Sequence, residues 1–362
     1  MLVVFAGGAT GGHIYPGVAV ARALAEIDGR FECEFWGSGR ALEAEILKKE
    51  NLPSVVLPSA PLPHDPLAIP RFVWSIGAGY FGARRLLKSK RASAVVGLGG
   101  FSSFAPVVAA SRMGLPAFLL EQNAVPGVAN IRLARRATLS CLSWQASAEH
   151  LPSGARWEVT GNPLRRFIVE AAAGEYNPSG GILVLGGSTG AVGVNSMVVD
   201  AVKDLAALGR RITHQAGGGD FERVRAAYAA AGVAAEVVPY IDDMPSAYSG
   251  AALAIARAGG TTLSELAIFG VPSILVPYPH HKDCHQMANA RIFTGAAAAR
   301  IIEEGKGAGA ALAAAAKEML ADSAALRKMH VAAKTLGRPE AARTVASRIN
   351  ESLQGRRAVA NS

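Results

Sequence analysis

Several things are scarce in this chain of 362 residues, and each scarcity excludes something. Cysteine occurs three times, at Cys33, Cys141 and Cys284, far apart and odd in number. That excludes a disulfide framework and fits a reduced, cytoplasmic compartment. Charged residues make up only 18% against 50% apolar, which excludes disorder and indicates a globular chain. No uninterrupted run of ~20 apolar residues occurs, so no spanning helix is expected. The opening "MLVVFAGG" lacks a basic n-region and runs straight into glycine, so it is expected to be a core strand and not a signal peptide. Acids are missing altogether between Asp65 and Glu121, where seven cations lie, five of them within Arg84 to Arg91. The net charge of +9 points to an anionic membrane, phosphorylated ligands or nucleic acid. The cations are not interleaved with an aromatic platform, which puts nucleic acid last.

What is present is a regular alternation. A chain of this length exceeds one ordinary core, so two domains are expected. Apolar runs such as "LVVFA", "SAVVGLG", "GILVLGG" and "LAIARAGG" are each followed by a helical stretch. Continuous apolar strands with crossover helices imply parallel sheets covered on both faces, an α/β class. The strand–glycine–helix unit occurs twice: Gly7-Gly8-Ala9-Thr10-Gly11-Gly12 is echoed by Gly186-Gly187-Ser188-Thr189-Gly190-Ala191. Each reads as the first turn of its own doubly wound domain. The split is expected between residues 161 and 180. That gives domains 1–162 and 163–362, with the C-terminal helix free to pack back on the first.

A glycine loop entering a helix exposes backbone N–H groups and forms an anion site. Further loops, "GLGG", "AGGG" and "RAGGTT", sit at other strand ends, so a phosphorylated ligand is expected. No Gly-Lys-Ser/Thr follows either repeat, and neither completes G-x-G-x-x-G with a distant acid, which disfavours a nicotinamide cofactor. In "TGNPLRR", Asn162 reads as an N-cap and Pro163 as the first helical residue. Arg165 then lies in the first turn, either solvated or kept there to meet a phosphate. In "TTLSELAIFG", Thr262-x-x-Glu265 fits a capping box, while a carboxylate at a strand end also suits two ribose hydroxyls. The crowded "PYPHHKDCHQMANA" is expected to be a ligand-facing loop entering a helix near Gln286 and not a metal site.

Together "GGATGGHIYPG", "EQNAVPGVAN", "TGNPLR", "LGGSTGA" and "RAGGTTLSELAIFGVPSILVPYPHHKDCHQMANA" resemble the MurG family, in order from Gly7 to Ala290. The resemblance implies the GT-B architecture, two Rossmann-like domains facing across a cleft. It implies inverting transfer of GlcNAc from UDP-GlcNAc to the 4-hydroxyl of undecaprenyl-diphosphate-linked MurNAc-pentapeptide, lipid I to lipid II. No cofactor or metal is implied. Glu265 would hold the ribose, Arg165 and Ser188 the diphosphate, and Gly259, Gly260, Thr261 and Thr262 the helix N-terminus beneath it. Gln286 would reach the GlcNAc hydroxyls, with Asn123 across the cleft. Thr10, Gly11, Gly12 and His13 would face the acceptor. Thr189 departs from the family's usual glutamine, and Leu120 from its frequent histidine.

His13 is the expected general base, with a histidine's ordinary pKa of ~6.5 suited to proton removal near neutrality. The acid-free stretch, with Leu67, Ile69, Phe72, Val73, Trp74, Ile76, Tyr80 and Phe81 ahead of its basic run, reads on composition alone as an ordinary buried helix with a solvated basic end; the resemblance favours instead peripheral binding to the anionic cytoplasmic membrane surface. Cell-wall and division proteins are further expected partners. The rivals are another GT-B enzyme, a UDP-sugar epimerase, and a non-catalytic scaffold that binds UDP-GlcNAc without turnover.

Overall fold

The computed structural model describes residues 1–8, 10–60, 65, 67, 69–186, 190–280 and 283–360, with 357–360 described by backbone alone. It divides into two compact units, one of residues 1–165 with 339–362, the other of residues 166–338.

The first unit runs β1 (Leu2–Ala6), α1 (Gly11–Ile27), β2 (Glu32–Gly37), α2 (Ala41–Lys49), β3 (Ser54–Val56), α3 (Ile69–Ser89), β4 (Ala92–Gly97), α4 (Phe104–Arg112), β5 (Ala117–Glu121), α5 (Val128–Leu133), β6 (Leu139–Leu142) and β7 (Trp157–Val159). The strands form one parallel sheet ordered β3-β2-β1-β4-β5-β6-β7. Side chains alternate across it as a strand requires. Val3 and Phe5 of β1 pack with α1 residues Ile14, Val18 and Leu24. Val4 and Ala6 pack on the other face with Ala83 and Leu87 of α3 and Val107 of α4.

The second unit runs α6 (Arg166–Ala171), β8 (Gly181–Leu185), α7 (Val192–Asp200), α8 (Val202–Ala206), β9 (Ile212–Gln215), α9 (Phe221–Ala230), β10 (Glu236–Val238), α10 (Met244–Ser249), β11 (Ala251–Ala256), α11 (Gly260–Phe269), β12 (Ser273–Leu275), α12 (His285–Gly295), β13 (Ala299–Ile301), α13 (Ala308–Ala321) and α14 (Ser323–Leu336). Its parallel sheet is ordered β10-β9-β8-β11-β12-β13, and all six residues of β11 are buried. The long helix expected after β8 breaks at Ala201, whose φ of −96° and ψ of 5° separate α7 from α8.

The last helix, α15 (Ala341–Ala360), belongs to the first unit. Val345, Ala346, Ile349 and Leu353 enter the same core as α1, and Arg348 clamps Glu158 of β7 at 2.8 Å.

In each sheet the strand order reverses beside the first strand, between β1 and β4 and between β8 and β11. Ligands of open α/β sheets bind at such points, outside the carboxyl ends of the strands. Gly7, Gly99, Gly186 and Gly259, which follow β1, β4, β8 and β11, all stand there. At Gly7 a φ of +102° and a Cβ position only 2.5 Å from the Gly99 carbonyl oxygen leave room for glycine alone.

α3 is turned inside out relative to a usual amphipathic helix. Its buried stripe is Ser75, Gly79, Ala83 and Leu87, mostly small residues four apart. The small residues let the helix lie close: a Cβ at Gly79 would stand 2.6 Å from the Pro58 carbonyl oxygen. The large apolar residues are left outside: Leu67 just ahead of it is 87% exposed, Trp74 68%, Phe81 67% and Val73 60%. No described helix is long and apolar enough to cross a membrane.

Candidate active site

In the first unit, Thr10 caps the entry to α1 with its carbonyl, which accepts from the backbone N–H groups of His13 and Ile14 at 3.0 and 3.1 Å. Its hydroxyl lies 2.9 Å from His13 Nδ1. Two tautomers fit this bond. With the proton on Nδ1, His13 donates to Thr10 and Nε2 keeps a lone pair; with it on Nε2, the ring has no base to offer. Gly11 and Gly12 open the first turn of α1. The Gly99 Cβ position would lie 3.1 Å from His13 Cδ2 and 3.5 Å from Nε2, at a φ of +93°, so glycine keeps space beside the imidazole.

Asn123 follows β5 in a loop wired by Glu121. This carboxylate, 4% exposed, accepts from Asn123 N at 2.9 Å, Asn123 Nδ2 at 3.3 Å, Gly127 N at 3.0 Å and Asn130 Nδ2 at 2.9 Å. Burial pushes the carboxyl above its ordinary range, and these donors pull it back. Ser147 Oγ donates to the Asn123 carbonyl and Trp144 Nε1 to the Gln122 carbonyl, fixing the loop from outside.

Arg165 stands differently from expectation. Helix α6 begins at Arg166, so Asn162 and Pro163 are not its cap and first residue, and Arg165 precedes the first turn. Its guanidinium carbon lies 4.2 Å from the ring centroid of Tyr15, two residues beyond His13. Stacking on an aromatic face holds a cation without neutralising it.

In the second unit, α11 starts at Gly260 with Gly259, which has no side chain to cap with, as N-cap. Gly260, Thr261 and Thr262 form its first turn, whose N–H groups suit an anion. The capping-box reading of Thr262 and Glu265 fails because the cap lies three residues earlier. Glu265 is instead 9% exposed and accepts a hydrogen bond from the Tyr248 hydroxyl at 2.8 Å. Gln286, in the first turn of α12, accepts at Oε1 from the Tyr278 backbone N–H at 3.0 Å, which orients its amide with Nε2 as the outward donor. Buried Asn289 donates to the Ala258 carbonyl at 2.9 Å and so ties α12 to the glycine turn. Arg257 is engaged with Glu304, the Val276 carbonyl and the Tyr278 ring. Ser188 and Thr189 lie outside the described residues, as do His281 and Lys282 of the histidine-rich loop.

Thus the first unit gathers Thr10, Gly11, Gly12 and His13 in one turn with Arg165 stacked nearby. The second gathers Gly259 to Thr262 and Glu265 on one helix, with Gln286 on the adjoining one. A cavity of about 380 Å³ against β8, β9, β10 and α10 is lined by none of these residues. Sequence reading missed Glu121, Tyr248 and Asn289. An acid closing the apolar run "AFLLE" was a usable signal for the first; nothing local marked the other two.

Two family models match the chain: the glycosyltransferase family 28 N-terminal domain over residues 3–140 and its C-terminal domain over residues 181–345. Among solved structures, the crystal structure of Acinetobacter baumannii MurG matches with a TM-score of 0.78 and 30% identity, covering 97% of this chain and 99% of that one. A Myxococcus xanthus relative is 36% identical over 351 residues, covering 96% of this chain and 91% of its own. The Geobacter sulfurreducens relative is 38% identical over 353 residues, covering 95% and 97%. Both carry the name UDP-N-acetylglucosamine–N-acetylmuramyl-(pentapeptide) pyrophosphoryl-undecaprenol N-acetylglucosamine transferase.

The chain belongs to the MurG family.

As a MurG-family chain it is a glycosyltransferase with the GT-B fold. A UDP-GlcNAc 2-epimerase from Neisseria meningitidis shares that fold at a TM-score of 0.67 but only 12% identity, a likeness of architecture alone.

Proposed function

We infer that this chain transfers GlcNAc from UDP-GlcNAc to the 4-hydroxyl of lipid-linked MurNAc-pentapeptide, with inversion, making lipid II for peptidoglycan. Near full-length likeness to relatives named for this transfer supports the substrates. The mechanism rests on one observation, the 2.9 Å bond between Thr10 and His13. With the Nδ1 proton given to Thr10, His13 Nε2 takes the proton of the acceptor hydroxyl. The hydroxyl oxygen forms a bond to the anomeric carbon as the bond from that carbon to the diphosphate oxygen breaks. UDP leaves with the electron pair on the opposite face, the logic of an inverting displacement. The family resemblance assigns the departing charge to the N-terminus of α11 and to Arg165, the ribose to Glu265, and the sugar to Gln286 and Asn123.

The acceptor carries a long lipid, and the outward Leu67, Val73, Trp74 and Phe81 beside the basic run of α3 suit a peripheral seat on an anionic bilayer. The enzyme works there, on the cytoplasmic face. The deciding experiment is transfer of labelled GlcNAc to a short-chain lipid I analogue, with a no-acceptor control. Acceptor-dependent disaccharide supports the transfer. Epimerised sugar or UDP released without acceptor overturns it in favour of an isomerase, and binding without turnover in favour of a scaffold.

A further inference from the structure

Tyr248 has no reason in packing to be tyrosine. Its side chain is 1% exposed on α10, and its ring lies 5.1 Å from that of Phe269 in a tilted pair. Phenylalanine would fill the same space without withdrawing a hydroxyl from water, a withdrawal that costs stability unless a partner compensates it. The partner is Glu265 Oε2 at 2.8 Å. A carboxylate only accepts, so the tyrosine hydroxyl donates.

We propose that Tyr248 is a positioning residue for nucleotide recognition, aiming the Glu265 carboxylate that binds the ribose hydroxyls; this rests on the ribose role proposed above for Glu265. A carboxylate that accepts two vicinal hydroxyls must be held in one plane. The terminal torsion of Glu265 is soft and does not fix that plane by itself. One hydrogen bond from a rigid aromatic side chain fixes it. Tyr248 is itself rigidly carried. Asp243 caps α10, accepting from Ser246 N at 3.1 Å and from Ser246 Oγ at 2.6 Å. Tyr248 is buried and does not touch the substrate; it acts only through Glu265.

The test compares binding of UDP and 2′,3′-dideoxy-UDP to the wild type, Tyr248→Phe and Glu265→Gln, with steady-state kinetics on UDP-GlcNAc. The wild type should prefer UDP. Tyr248→Phe should bind UDP about 5–10-fold more weakly and dideoxy-UDP unchanged, raising the KM for UDP-GlcNAc by a similar factor with kcat nearly constant. Equal weakening of both nucleotides in Tyr248→Phe would mean a merely structural role and overturn the proposal. Retained preference in Tyr248→Phe together with its loss in Glu265→Gln would overturn it while leaving the ribose role of Glu265 intact. A wild type indifferent to the ribose hydroxyls would overturn both.

Discussion

His13 in the first unit and Glu265 in the second each stand on the helix that follows a central strand, yet they are held by different means. The partner of His13 is Thr10, three residues earlier in the same turn. The partner of Glu265 is Tyr248, seventeen residues away on a different helix and almost wholly buried. The first device is local and lies at the exposed entry to a helix; the second is part of the core. A local device can be cut without disturbing the fold. A core device ties recognition to stability, because the same side chain packs and orients.

The comparison is broken most sharply at His13. His13→Ala should lower kcat about 100-fold or more while leaving thermal stability unchanged. A loss under tenfold in a transfer assay would remove the base role and leave the two units alike in only orienting substrate.

A core device of the second unit should respond to pH. His214, fully buried, lies 3.1 Å from Asn195 Oδ1 through Nε2 and 3.2 Å from the Tyr228 hydroxyl through Nδ1. Asn195 Nδ2 donates to the Ala216 carbonyl and to Asp220, so its Oδ1 is left to accept and Nε2 must carry the proton. Tyr228 then donates to Nδ1, and the ring is neutral. Burial lowers the His214 pKa from 6.5 to about 4. Between these values the unfolded chain binds the extra proton. Stability is therefore full above pH ~6.5 and falls as the solution is acidified toward the folded value. From pH 7 to pH 5 the loss should be roughly 2 kcal/mol by denaturant titration, and His214→Gln should flatten that slope. A slope unchanged in the variant would assign it elsewhere.

Thr10 sharpens the local side of the comparison. Thr10→Ala should reduce kcat about tenfold by freeing the tautomer, and Thr10→Ser should restore it. If serine fails where threonine works, the bond is not what matters. The smallest effect is expected at a surface outside both devices. Trp74→Ser with Phe81→Ser should weaken binding to anionic vesicles severalfold while leaving turnover of a short-chain acceptor within about twofold. Equal loss on both substrates would mean that these residues serve the fold.

The alternation of apolar strands and glycine turns made both sheets legible, because a strand covered on both faces leaves the same imprint wherever it lies. The glycine turns also placed His13 and the α11 terminus, since sequence neighbours stay spatial neighbours there. Glu265 was recognisable as a residue but not as a device. Its fit to a capping box was a local coincidence, and its real partner lies on another helix. Glu121 was hidden for the same reason: its donors come from Asn123, Gly127 and Asn130, and their convergence depends on the turn of the loop. The outward face of α3 was readable only as composition, because the pattern does not say which stripe a neighbour will cover.

The chain passes from the first unit to the second after Arg165 and returns after Arg338. In the order of synthesis, the second unit is therefore complete before the first. Before residues 339–362 emerge, the nascent chain already holds the whole contiguous second unit. The first unit must wait with the apolar seat of Val345, Ala346, Ile349 and Leu353 uncovered beside α1. The half of the molecule made first is finished last, and the C-terminal helix is the step that seals it.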